Sequence, residues 1–311
     1  MGEVLAVDLG GSSMRAALVA DDGTISGRCE RPTPRSATAR PLVEMVAEVV
    51  ADRAVAYAVV GVPGRVDYRA GVLEHAPNLA PGWAGELTEA GLGQVLGMEV
   101  ALANDADLAA VGEAWFGAGR HHRDVVYLTV STGIGAGAVT GGLLVHGRRS
   151  MAEVGHTIVD WRGLAQGRAT VEQLGSGTAL RTLAAEAGLD ADGREVERRW
   201  RSGDPLASDV WASVVIVAAA AAVNLAQLFT PEVIVVGGGV GLVGDAVLGP
   251  MRALLSEWGP AGLPEPIEVV NAALGDDAAL AGGAAWHRAF TPEAASRSRS
   301  IAVGDRGRQA R

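Results

Sequence analysis

Two stretches of this chain share one plan: an apolar strand enters a glycine-rich bend and leaves it as a second apolar strand. The first is VLAVDLGGSSMRAALVA (4–20), and the second is DVVYLTVSTGIGAGAVTGGLLVHG (124–147). Apolar runs broken by Gly-Gly or Gly-x-Gly read as hairpins. One of them opens each half of the chain, so together they form a coarse internal repeat. At 311 residues the chain is long enough for two lobes, because single cores stop growing near ~250–300 residues.

The rest of the pattern fills in around these hairpins. Asp21–Gly23 reads as a second turn, residues 40–53 carry helical spacing, and AYAVVGVPGRVD (56–67) reads as a buried strand ending in a loop. APNLAPGW (76–83) is an irregular loop, followed by a helix over Glu86–Leu96 and a strand over 99–103 that leads into a helix starting near Asn104. Later helices are expected near 170–188, 205–229, 245–257 and 277–290, with strands at 232–236 and 267–270. Within the second of these helices, Trp211–Phe229 approaches membrane-span length. Its alanines, Ser213, Asn224 and Gln227, and the strand pattern that follows, favour a core helix. The tail 291–311 has no apolar period and reads as disordered.

Composition removes several function classes. The chain contains no lysine, which excludes Schiff-base and pyridoxal chemistry and a Walker-type P-loop. Any phosphate must then be held by backbone N–H groups, by Arg or by a metal. A net charge of −10 argues against a nucleic-acid partner. Cys29 is the single cysteine, so no intramolecular disulfide forms; with no signal peptide expected ahead of the first strand, a cytoplasmic location follows.

Three glycine clusters close apolar strands. In DLGGSS, Gly10, Gly11, Ser12 and Ser13 can present N–H groups and hydroxyls to phosphate, and Asp8 can hold Mg²⁺ directly or through water. STGIGAG, with Thr132, Gly133 and Gly135, lacks the helix that a dinucleotide fingerprint needs, and reads as a second phosphate hairpin. VVGGGVG, with Gly238 and Gly239, can admit a base or ribose. Shared nucleotide binding explains all three. At EVALANDADLAA (99–110) two readings stay open. Asn104 caps a helix with Asp107 reaching back in a capping box, or Asp105 is a catalytic base at a strand's carboxyl end.

The motifs DLGGSSMRAALV, GVPGRVD, APNLAPGW, ALANDADLAAVGEAWFGAG, STGIGAG, EVGH, EQLGSG, VIVVGGGV and LGDDAALAGGAAW occur here in this order, over about residues 3–288. This set resembles the ROK sugar kinases. The resemblance implies an α/β, two-lobed actin/hexokinase-like (ribonuclease H-like) ATPase fold, with ATP and sugar in the cleft. It places an N-terminal lobe over 1–103, joined by the C-terminal helix 277–290, and a larger lobe over 104–276. It also implies Asp105 as the base on the sugar's 6-hydroxyl, with Asp107 left as the capping residue. Asn104, Glu153, His156 and Glu172 become sugar ligands, and Gly64 and Asn78 flank the sugar. Asp8, Gly10, Gly11, Thr132 and Gly133 match the phosphate turns, and Gly238 and Gly239 the adenosine side. ATP, Mg²⁺ and a homodimer complete what the resemblance implies.

One departure matters. The family's usual cysteine cluster after Glu-x-Gly-His is replaced by HTIVDWRGLAQGRATVEQLGSG (156–177), with Thr170 where its last cysteine would stand. A tetrahedral zinc site needs four such ligands, so no zinc is expected, and something else must orient His156. The leading expectation is a hexose 6-kinase of glucokinase type. An amino-hexose substrate such as kanosamine, as used in antibiotic biosynthesis, is a variant suggested by the altered loop. N-acetylmannosamine, N-acetylglucosamine, mannose and fructose are alternatives within the family. A sugar-responsive repressor would carry an added DNA-binding domain, whereas the first phosphate strand starts at Val4. A non-catalytic sugar sensor is the remaining alternative.

Overall fold

The computed structural model describes residues 2–34, 40–80, 83 and 87–290. The expected tail and the start of the helix expected over Glu86–Leu96 lie outside the described residues. Contacts divide the chain into two compact units. The first comprises the chain up to Gly112, Leu143–Met151 and the segment from Ala279; the second comprises Glu113–Gly142 and Ala152–Ala278.

The first unit contains β1 (Val4–Leu9), β2 (Ser13–Val19), β3 (Ile25–Pro32), α1 (Arg40–Val50), β4 (Tyr57–Val62), β5 (Arg65–Asp67), β6 (Val72–His75), α2 (Glu89–Leu96) and β7 (Glu99–Asn104). Helix α3 (Asp105–Trp115) begins in it. Its main sheet runs β3-β2-β1-β4-β7. β1 is antiparallel to β2 and parallel to β4, and β4 is parallel to β7. The parallel strands are continuous apolar runs because both faces are covered. Leu5, Val7, Val59 and Val60 are fully buried. On α1, Leu42, Met45, Val46 and Val49 fall at one-face helical spacing and are the buried residues.

The second unit contains β8 (Asp124–Val130) and β9 (Ile134–Thr140), while the short β10 (Leu143–Leu144) belongs to the first unit. Then come α4 (Val171–Gly175), α5 (Gly177–Glu186), α6 (Gly193–Arg201), α7 (Pro205–Phe229), β11 (Val233–Gly237), α8 (Asp245–Trp258) and β12 (Glu268–Asn271); α9 (Ala278–Ala289) returns to the first unit. The second sheet carries the order β9-β8-β11-β12, with β8 antiparallel to β9 and parallel to β11. This repeats β2-β1-β4-β7. In each unit a glycine-turned hairpin extends on one side of its first strand and two parallel strands add on the other.

Helix α7 is started by Asp204, whose carboxylate caps Leu206 and Ala207, with Pro205 in the first turn. By length and composition it could cross a membrane, yet Val210, Trp211, Val214, Val215 and Leu225 are among its buried residues. It is a core helix feeding β11.

Several elements differ from the sequence expectation. The helix expected near 170–188 is broken at Ser176, which ends α4 and caps α5. A Cβ on Gly177 would stand 2.7 Å from the Ser131 carbonyl oxygen, so this junction is held against the second glycine turn. Strand β3 and helix α6 were not expected. The first unit does not stop at residue 103. α3 packs so closely that the Leu108 carbonyl oxygen would lie 2.0 Å from a Cβ on Gly282 of α9. Leu143–Met151 also joins it, through ion pairs of Arg148 with Asp67 and Arg149 with Glu74.

Candidate active site

In the first unit, strand register lines up the candidate residues. Asp8 on β1 is level with Gly61 on β4, and Gly61 with Ala103 on β7. Adjacent strands stand about 4.8 Å apart, so the Gly10-Gly11 turn and Asp105 leave one carboxyl edge two strands apart, on the order of 10 Å. Asp105 is the first residue of α3, and its Oδ1 accepts the Ala106 N–H at 2.9 Å.

The glycine turn is tight and shared with the loop that carries Asn78. The Gly10 N–H donates to the Ser13 carbonyl at 2.9 Å, and the Thr33 hydroxyl donates to the Gly10 carbonyl at 2.6 Å. A Cβ on Gly11 would lie 2.8 Å from the Asn78 carbonyl oxygen, so glycine is needed for the two loops to meet. Ser12 extends the turn with a carbonyl that accepts the Thr33 N–H. Asp8 forms an ion pair with Arg15, its cross-strand neighbour, at 3.1 Å.

Asn104 caps α3: its Oδ1 accepts the N–H groups of Ala106 at 3.0 Å and Asp107 at 3.1 Å. Its Nδ2 donates to the Gly64 carbonyl at 3.0 Å, which brings an expected sugar ligand and an expected sugar-flanking residue together. The side chain is 7% exposed and its oxygen is already used twice, so at most an amide N–H is left for a sugar. Gly64 has φ +105, and a Cβ there would stand 2.1 Å from the His75 carbonyl oxygen. Only glycine fits.

The expected capping box is not the two-residue device. The Asn104 N–H donates to the Tyr68 hydroxyl oxygen at 3.2 Å, and that hydroxyl donates to Asp107 Oδ2 at 2.6 Å. Tyr68 is inserted between the partners, and Asp107 is a fully buried carboxylate instead of a surface cap. Burial, followed by the Asp107 charge, pushes the Tyr68 phenol well above its ordinary value, so it stays a donor. Tyr68 had no motif to mark it.

In the second unit, the turn between β8 and β9 closes with the Ser131 N–H on the Gly133 carbonyl at 2.9 Å. The Thr132 carbonyl accepts from both the N–H and the hydroxyl of Thr178, at 3.2 and 2.8 Å. Gly135 pairs with Thr129 inside the hairpin. Gly238 follows β11, whose Gly237 is level with Thr129 on β8, so the two glycine clusters leave neighbouring strands on one carboxyl edge. At Gly238, φ is +81 and a Cβ would lie 2.5 Å from the Val130 carbonyl oxygen. A Cβ on Gly239 would meet nothing within 4 Å.

Glu172 on α4 reaches this turn, accepting the Ile134 N–H at 2.9 Å. Glu153 and His156 flank a single helical turn, both exposed, with His156 Nε2 3.8 Å from Glu153 Oε2. His156 is therefore not a core residue. Gly155 between them packs on Ile134, where a Cβ would lie 2.2 Å from its carbonyl oxygen. The segment after His156 is closed by its own backbone: Val171 N–H to Thr157 carbonyl at 3.0 Å, and Val159 N–H to Ala169 carbonyl at 2.8 Å. Thr170 caps α4 in a capping box with Gln173. Among the described residues, no three His, Cys, Asp or Glu side chains are grouped to hold a metal ion.

The model of the ROK family matches residues 4–289. Glucokinase of Thermotoga maritima is 32% identical over 305 residues, covering 91% of this chain and 96% of its own length. N-acetylmannosamine kinase of Shigella boydii is 32% identical over 253 residues, 76% of this chain and 83% of its own. Among solved structures, the ROK family glucokinase of Streptomyces griseus in complex with glucose and AMPPNP aligns with a TM-score of 0.76 and 32% identity, covering 91% of this chain and 98% of that one.

Proposed function

Because this chain belongs to the ROK family, whose actin/hexokinase-like α/β fold it shares, we propose that it is an ATP-dependent hexose 6-kinase with Asp105 as general base. One observation carries the reading: Asp105 and the Gly10-Gly11 turn leave the same carboxyl edge, two strands apart. Ligands of open α/β sheets gather at such edges.

Phosphoryl transfer needs an oriented nucleophile and neutralised charge more than covalent chemistry. Asp105 would accept the proton of the 6-hydroxyl as its oxygen attacks the γ-phosphorus and the bond to the β-phosphate oxygen breaks, leaving ADP. A placed carboxylate contributes typically ~10²–10⁴-fold in rate. The two glycine turns would present N–H groups to the phosphates, and Gly238 and Gly239 would admit the adenosine. The magnesium ion of ATP takes oxygen ligands and is commonly held by one or two carboxylates plus phosphates. Asp8 at the turn is such a carboxylate, and when bound the ion supplies charge neutralisation.

Glu153, His156 and Glu172 would bind the sugar hydroxyls. The exposed Glu153 carboxylate would accept an ammonium as readily as a hydroxyl, which keeps an amino-hexose such as kanosamine within the proposal. The similarity to the Shigella boydii kinase favours an N-acetylmannosamine substrate as the second reading. A coupled ADP-release assay over glucose, kanosamine, N-acetylmannosamine, N-acetylglucosamine, mannose and fructose tests it, with Asp105→Asn in parallel. Turnover on one of these sugars and its loss by ~10²-fold or more in the variant are expected. Turnover on none rejects the kinase and leaves a sugar sensor, while an undiminished variant rejects Asp105 as the base.

A further inference from the structure

The carboxylate of Glu172 is divided between two tasks. Its Oε2 accepts the Ile134 N–H at 2.9 Å and lies 2.4 Å from where a Cβ on Gly133 would stand. Gly133 thus has no room for a side chain on the side that Glu172 occupies, and the turn is seated on this side chain. Its Oε1 takes no hydrogen bond among the described residues and is not enclosed.

The surroundings make this seat stiff. α4 is started by the Thr170–Gln173 capping box, which fixes Glu172 in its first turn. Gly177 N–H donates to the Ser131 carbonyl at 2.6 Å, so the junction between α4 and α5 grips the other end of the same turn. On the far side lies Gly155, between Glu153 and His156 in sequence, where a Cβ would stand 3.6 Å from Glu172 Cβ. Glu172 thus bonds to the turn read as a phosphate cradle and lies beside the segment read as a sugar site.

The geometry points to Glu172 as a positioning residue for the nucleotide turn, through which sugar binding strengthens nucleotide binding. This rests on the kinase reading above and goes beyond a sugar-ligand role. A hydroxyl donated to Oε1 fixes the carboxylate plane and with it the bond from Oε2 to Ile134. The nucleotide then meets a turn whose ordering has already been met, which is positive cooperativity without a large movement. By linkage the nucleotide strengthens sugar binding by the same factor.

Titration calorimetry of the full chain with Mg-AMPPNP, with and without a saturating concentration of the sugar that the ADP-release assay identifies (glucose on the leading reading), tests this for wild type, Glu172→Asp and Glu172→Gln. In the wild type, that sugar tightens AMPPNP binding by about fivefold or more. Asp is one methylene too short to reach Ile134, so Glu172→Asp weakens AMPPNP binding even without sugar, by about five- to tenfold, and the sugar no longer tightens it. The Gln amide oxygen can still accept from Ile134, so Glu172→Gln keeps the sugar-free affinity. Sugar-free AMPPNP affinity unchanged in Glu172→Asp, or a wild-type affinity indifferent to the sugar it turns over, overturns the inference and leaves the kinase reading standing. A wild type that binds no AMPPNP overturns both.

Discussion

Tyr68 donates its phenolic proton to Asp107 across 2.6 Å, and in the same geometry accepts the N–H of Asn104. One hydroxyl therefore holds the residue before α3 and the residue in its first turn, with Asp105 between them in sequence. Tyr68 itself is set in an aromatic group, with ring centroids 5.7 Å from His146, 6.0 Å from Trp286 and 5.2 Å from Phe290.

Tyr68→Phe keeps the rings and removes only the hydroxyl. Asp107 loses a donor and the Asn104 N–H loses its acceptor, for an expected loss of about 1–3 kcal/mol in stability. Under the proposed reaction, kcat falls because the base is less firmly placed, while the KM for ATP stays within about twofold. Urea denaturation and steady-state kinetics check both. A variant with full stability and unchanged kcat would show that Asp105 does not depend on this hydroxyl.

The glycines divide by what a side chain would meet. At Gly64, alanine would clash with the His75 carbonyl and would have to adopt φ +105. Gly64→Ala is expected to cost more than about 2 kcal/mol and to disturb the Asn104 contact with it. At Gly239 a methyl group enters open space at an ordinary φ, so Gly239→Ala should leave the unfolding midpoint unchanged. Any loss of ATP affinity in that variant then reports a ligand close to residue 239. Thermal unfolding and nucleotide titration of the pair separate the cases. A Gly239→Ala protein that binds ATP normally would move the adenosine elsewhere.

The same distinction explains what the sequence disclosed. Strands such as β1, β4 and β11 are apolar runs ended by glycine, a signal contained in a few neighbouring residues. β3 has no buried residue and is held by backbone pairing with β2. α6 reads GREVERRWR, whose apolar face is little more than Val196 and a Trp200 stacked on Trp211 at 4.9 Å. β3 is the outer arm of a hairpin on β2, and neither it nor α6 carries an apolar period of its own to announce it. The glycine turns and Asp105 were legible as motifs. The bonds that seat them, Tyr68 to Asp107 and Ile134 to Glu172, join residues 39 and 38 positions apart and have no local pattern.

Asp67 gives the first unit a pH-dependent fastening. The residue is 1% exposed; its Oδ1 accepts the N–H groups of Arg69 at 3.0 Å and Ala70 at 3.1 Å, and its Oδ2 accepts Arg148 Nε at 2.7 Å. The Arg148 carbonyl in turn accepts the Tyr68 N–H at 2.9 Å, so this contact ties Leu143–Met151 to the end of β5. The Arg148 hydrogen bond, helped by the Ala70 N–H, outweighs burial and holds the Asp67 carboxyl below its usual range. A depressed carboxyl stabilises the folded state above the unfolded value of about 3.9, and that stability is lost as pH falls through the lower folded value. Asp67→Asn should therefore cost about 1–3 kcal/mol at pH 7, with the difference from wild type shrinking below about pH 4. The Asn oxygen can still accept from the turn, while its amide faces the guanidinium donor to donor. Arg148→Ala removes the main cause of the depression and should move the acid-induced loss to higher pH. Urea denaturation at pH 7, 5 and 3 checks each variant, and a difference that stays constant across that range would show that the Asp67 charge carries none of the fastening.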